Sequence, residues 1–65
     1  MDVMTFNFNA DYLKKYIGKK VFAVGPLALK GILEEVENGF INIKDKNAKT
    51  YVLHVSKVSY IMIDE

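Results

Sequence analysis

The sequence predicts an all-β fold, a small barrel of five short antiparallel strands entered through a short N-terminal α-helix. Three observations predict it. Helical spacing is confined to one segment that stops at Gly18. From Lys19 onward apolar residues recur with period two. Turn signals, Gly25-Pro26, Asn38-Gly39 and Asp45-Lys46-Asn47-Ala48, then cut the chain into strand-length pieces.

The helix is expected over about residues 10–17, capped by Asn9 or Asp11, with Tyr12, Leu13, Tyr16 and Ile17 on one face. Gly18, free to adopt positive φ, ends it. The strands are expected over about 19–63. In the first, Lys20, Phe22 and Val24 point one way and Val21, Ala23 and Gly25 the other. The second, Leu27 to Glu37, places Leu29, Gly31 and Leu33 on one face but Val36 on the other. A bulge near Glu34-Glu35, with Gly31 allowing curvature, returns Val36 to the core. Asn38-Gly39 is a tight-hairpin signal leading into Phe40 to Lys44, with Ile41 and Ile43 in register. Tyr51, Leu53 and Val55 alternate with Val52, His54 and Ser56 in a fourth strand, and Val58 to Ile63 forms the fifth.

Sixty-five residues form a single domain over 1–65, and a chain this short buries too little surface to be strongly stable alone. Cysteine is absent, so no disulfide or thiolate metal site can help. About half of the residues are apolar, an excess that self-association would bury. The first ten residues carry an acid and no basic segment ahead of an apolar run, unlike a secretory signal. The longest apolar run, Val21 to Leu29, is too short to span a bilayer, and the expected location is the cytoplasm. Nine lysines and no arginine against eight acids give a net charge of +1, which excludes a general basic coat for nucleic acid. Any such surface must be local.

Gly31-Ile32-Leu33-Glu34-Glu35-Val36-Glu37, followed by Phe40-Ile41-Asn42-Ile43-Lys44, carries glycine, hydrophobic, two free positions, hydrophobic and acid, then a hydrophobic strand. This pattern resembles the first motif of the Sm-like family, and its closest branch is the Hfq-like RNA chaperones. The resemblance covers most of the chain after Asp11. It implies an SH3-like barrel, a homo-hexamer or heptamer ring, and binding of U-rich or A-rich single-stranded RNA without cofactor, metal or catalysis. His54 falls on the family's pore histidine, Phe22 on a stacking tyrosine of the opposite face, and Phe40 beside the place of a pore aromatic, which here is Gly39. Other positions depart from the family. Leu53 replaces the pore lysine, Ala28 replaces a polar contact, and lysines around Lys14 and Lys15 replace an arginine-rich rim. Lysine lacks the planar fork that grips phosphate in two places.

Lys14, Lys15, Lys19 and Lys20 are therefore the expected phosphate contacts, although cations at a helix end also complement its dipole. Phe22, Phe40 and His54 are the expected base contacts, although aromatic residues in so small a domain are more often core. A lone histidine builds no metal site, and the acids Glu34, Glu35 and Glu37 read as a solvated strand end rather than an acid-base pair. No catalytic constellation emerges, so no enzyme is expected. Pairing of the fourth strand with the fifth strand of a neighbour would close the ring and protect both apolar edges. A barrel that serves as a protein-interaction or assembly module without RNA is the alternative, favoured by near-neutral charge and Leu53.

Overall fold

A computed structural model describes residues 2–5 and 11–64. The described residues are mostly β, with six antiparallel strands among them: β1 (Asp2–Thr5), β2 (Lys20–Val24), β3 (Ala28–Glu37), β4 (Phe40–Lys44), β5 (Thr50–His54) and β6 (Tyr60–Asp64). They form one sheet in the order β1-β6-β2-β3-β4-β5. The five expected strands are present, and β1 is an addition. It pairs along β6 from Asp2 opposite Ile63 to Thr5 opposite Tyr60. The two outer strands, β1 and β5, do not pair with each other, so the sheet is open.

The expected α-helix is instead a 3-10 helix, Asp11–Tyr16. Six residues are too few to offset the cost of nucleating an α-helix in isolation, and the tighter form suits a short connector. Its closing bond is of the i to i+3 kind, Lys19 N–H to the Tyr16 carbonyl at 2.9 Å. Gly18 then takes φ +94°, which lets its N–H reach the Leu33 carbonyl at 2.7 Å while Leu33 N–H returns to the Lys19 carbonyl at 3.0 Å. Of the four residues expected on the buried face, Leu13 is fully buried and Tyr16 packs at the core's edge. Tyr12 and Ile17 are exposed. A helix with so few turns can aim only one stripe inward. The expected start at Ala10 and the Asn9 cap lie outside the described residues.

In β2, Val21 and Ala23 are buried while Lys20, Phe22 and Val24 face outward, as the alternation predicts. The bulge is where the pattern required it. The β3–β4 register steps from Leu33 opposite Ile43 to Glu35 opposite Asn42, leaving Glu34 as the extra residue and Val36 buried. Gly31 allows β3 and β4 to approach there, since a Cβ on it would stand 2.2 Å from the Lys44 carbonyl oxygen. Asn38 and Gly39 take φ of 52° and 82°, the doubly positive pair of a tight hairpin.

Among the described residues the core is wholly apolar: Leu13, Val21, Ala23, Leu33, Val36, Ile41, Ile43, Val55, Val58, Ile61 and Ile63. Each fully buried aliphatic side chain contributes about 1.5–3 kcal/mol relative to exposure. Val55, expected at the end of a strand, opens a 3-10 turn, Val55–Lys57. The turn and the residue that follows it bring Val55 and Val58 into the core. This segment is tied on one side by Val55 N–H to the Gly39 carbonyl and on the other by Ser59 N–H to the Val24 carbonyl, at 2.8 and 2.7 Å. No helix among the described residues is long and apolar enough to cross a membrane.

Candidate nucleic-acid interface

Strand pairing lines up the outward residues of the sheet in rows. One row runs Asp64, Lys20, Ile32, Lys44 and Thr50 across β6, β2, β3, β4 and β5. The next runs Met62, Phe22 and Lys30. A groove of about 500 Å³ lies over these rows, floored by Gly31 and Ile32 and rimmed by Lys20, Lys30, Lys44, Lys46, Asp45 and Asn47. A smaller hollow of about 140 Å³ adjoins it, lined by Lys20, Lys30, Val21, Phe22, Met62 and Asp64. The two share Lys20 and Lys30, so they form one continuous track of ammonium groups, apolar floor and one aromatic ring.

The charges within this track are unequal. Asp45 is occupied by its own turn, where its Oδ1 accepts from Asn47 N–H at 2.8 Å and Lys49 N–H at 3.0 Å. The Lys49 bond foremost, aided by that of Asn47, holds the carboxyl below its ordinary value. Lys44 lies 3.8 Å from Glu34, a solvent-exposed pair of small energetic consequence. Asp64 sits opposite Lys20 at the far end. Lys30 and Lys46 complete a lining in which four lysines stand against the single carboxylate of Asp45.

The expected site residues divide into three groups. Lys20 and Phe22 belong to the track. Lys14 and Lys15 are engaged on the 3-10 helix itself: Lys14 Nζ is 3.6 Å from Asp11, and Lys15 Nζ stands over the rings of Tyr12 at 4.4 Å and Tyr16 at 5.2 Å. Tyr12 first and Tyr16 second keep the Lys15 ammonium above its ordinary value. Lys19 is exposed at the corner between helix and β2, with its backbone holding β3. Phe40 and His54 form a third place. They face each other across β4 and β5, ring centroids 4.8 Å apart and nearly perpendicular at 81°. Four residues of strand, about 13 Å, separate them from the Lys44–Thr50 row.

His54 is also a structural cap. Ser56 N–H donates to its Nδ1 at 3.2 Å, and Ser56 Oγ lies 2.7 Å from the same nitrogen. Leu53 packs against the core and lines a separate apolar groove with Ala23, Pro26, Leu27, Lys57 and Val58. Among the described residues, no three His, Asp or Glu side chains gather as a metal site.

No family model, curated protein or solved structure matches this chain. The site therefore rests on its own geometry. Lys30, Lys44 and Lys46 were the residues that sequence reasoning missed. Their signal was present: the Asn38-Gly39 hairpin and a bulge at Glu34 together set Lys44 opposite Ile32, one row from Lys30.

Proposed function

We propose that this protein is an Sm-like, single-stranded RNA-binding protein that acts as a homo-oligomer and catalyses nothing. The observation that carries the reading is the track in which Lys20, Lys30, Lys44 and Lys46 border an apolar floor beside Phe22. Ammonium groups spaced along a groove follow a phosphate backbone, and an aromatic face beside them accepts a base without regard to its hydrogen-bonding edge. Near-neutral net charge makes one track weak. Repetition of the track in an assembly supplies avidity.

The order of secondary elements and the bulged second strand of the motif support an Sm-like barrel. A ring of that family joins one copy's β5 to the outer edge of the next copy's β6. Here β1 lies along that edge of β6. A hexamer or heptamer therefore requires β1 to leave β6.

Fluorescence anisotropy of labelled oligo-U, oligo-A and a mixed strand at low salt tests the function. Binding that weakens with salt, and weakens further on Lys20→Gln with Lys30→Gln, supports it; no association with any of the three refutes it. A second reading, a protein-interaction module, draws on the apolar groove around Leu53 and on Leu27, which is 67% exposed. It takes precedence if all three RNAs fail.

A further inference from the structure

We infer that β5 is a self-pairing edge, through which two copies of the chain join in an antiparallel two-fold dimer, β5 against β5. The pairing goes beyond RNA binding and does not depend on it.

β5 and β1 are the outer strands of the sheet, so among the described residues β5 presents a row of backbone groups with no strand beside it. Monomeric proteins guard such an edge with lysine, proline, an inward charge or a bulge. Thr50-Tyr51-Val52-Leu53-His54 carries none of these: it has no Lys, Asp, Glu or Pro, and its pairing with β4 runs unbroken. The edge of β6, by contrast, is covered by β1. Of the two outer strands, β1 is the shorter, at four residues against five.

The second copy fits because the strand is complementary to itself. Residues directly opposite in an antiparallel pair share a face, so outward Thr50, Val52 and His54 must meet one another and inward Tyr51 and Leu53 must do the same. Full overlap puts Val52 on the two-fold axis against its own copy, with Thr50 opposite His54 and Tyr51 opposite Leu53. Val52, 61% exposed in the single chain, is thereby covered. Hydroxyl meets imidazole on the same face, and aromatic meets aliphatic on the other. No charged side chain faces another. A contact that uses one patch on both copies closes at two, whereas β5 joined to a different edge needs several copies to close a ring or else runs on as a filament. None of Thr50, Tyr51, Val52, Leu53 and His54 lines the lysine track, which is built from β2, β3, β4, β6 and the β4–β5 turn, so the strand contact does not use its residues.

The test uses the full chain, whose lack of native cysteine makes introduced thiols unambiguous. Sedimentation equilibrium from about 1 µM to about 1 mM should give twice the chain mass at the upper end. Val52→Cys, a change at an exposed position, should form a covalent dimer with oxidised glutathione. Thr50→Cys alone should not, and Thr50→Cys with His54→Cys should. Val52→Lys should keep the circular dichroism of the parent and sediment as a monomer. A parent that stays monomeric throughout overturns the inference, as does a six- or seven-chain mass. A dimer in which Val52→Cys does not cross-link, or which survives Val52→Lys, overturns it equally. RNA binding by a monomer would sink the pairing and the homo-oligomer together, while leaving the RNA-binding part of the proposed function standing.

Discussion

Phe22 and Lys30 stand directly opposite each other in the β2–β3 ladder, an aromatic face and an ammonium group side by side on the outer surface. The pair separates two contributions to RNA affinity. Phe22→Ala should weaken binding of oligo-A or oligo-U by about 1–3 kcal/mol at every salt concentration, because a stacked base is lost and no phosphate contact changes. Lys30→Gln should instead reduce the slope of log affinity against log salt by about 1, because one fewer counterion is released. Lys15→Gln should alter the slope less, since Lys15 is held over Tyr12 and Tyr16. Anisotropy titrations at several salt concentrations check all three, and equal slopes for Lys30→Gln and Lys15→Gln would remove the track from the proposal.

Gly31 sits at the floor of the track for a steric reason. With the Lys44 carbonyl oxygen 2.2 Å from where its Cβ would be, Gly31→Ala must push β3 and β4 apart. The expected loss is about 1–3 kcal/mol in urea unfolding, the range of overpacking in a fitted interior. A loss within error of zero would mean that the two strands part without cost.

Much of this fold was legible in the sequence because period two and turn chemistry are local. Val36 illustrates the strength of that logic: its wrong phase required one extra residue before it, and Glu34 is that residue. The helix was misread because the stripe of Tyr12, Leu13, Tyr16 and Ile17 looks alike whether six residues form an α or a 3-10 helix. β1 was missed because a four-residue strand at an edge is decided by the partner it finds, here β6, and not by its own pattern. The site was half legible for a related reason. Lys14, Lys15, Lys19 and Lys20 are adjacent in sequence, whereas Lys20, Lys30, Lys44 and Lys46 become neighbours only through register.

Ala48 takes φ +64°, a left-handed conformation that costs a residue with a Cβ roughly 1–2 kcal/mol. Ala48→Gly should recover part of that, about 0.5–1 kcal/mol after the added freedom of the unfolded chain is set against it. Thermal unfolding would rise by a few degrees. An unchanged or lower midpoint would mean that the turn between β4 and β5 carries no strain.

The same turn predicts an acid response. Asp45 is held below its ordinary carboxyl value of 3.8, chiefly by the Lys49 N–H bond, so its folded pKa is the depressed one. Its contribution is then fully present above the unfolded pKa and disappears as the pH falls through the folded pKa. Asp45→Asn retains an acceptor oxygen and removes the titration. Stability of the parent should fall in that acid window more steeply than stability of the variant, measured by urea unfolding along a pH series. Parallel curves would show that the carboxylate's bonds to Asn47 and Lys49 do not couple to folding.

His54 distinguishes a base contact from a structural cap. Its Nδ1 accepts the Ser56 N–H at the start of the Val55–Lys57 turn, and its ring meets Phe40 edge-on. His54→Ala should therefore cost about 1 kcal/mol of stability through the lost cap, with some further loss from the ring contact. His54→Asn, which can accept the same N–H, should restore most of the cap but not the ring contact. For RNA, the lysine track and His54 occupy opposite ends of β4 and β5, so His54→Ala should leave oligo-A affinity and the salt slope unchanged. If oligo-U binding alone falls, and falls also in the Asn variant whose cap is repaired, the imidazole itself touches RNA and the family's pore persists despite Leu53. If His54→Asn restores both stability and oligo-U affinity, His54 acts on RNA only by holding the turn in place.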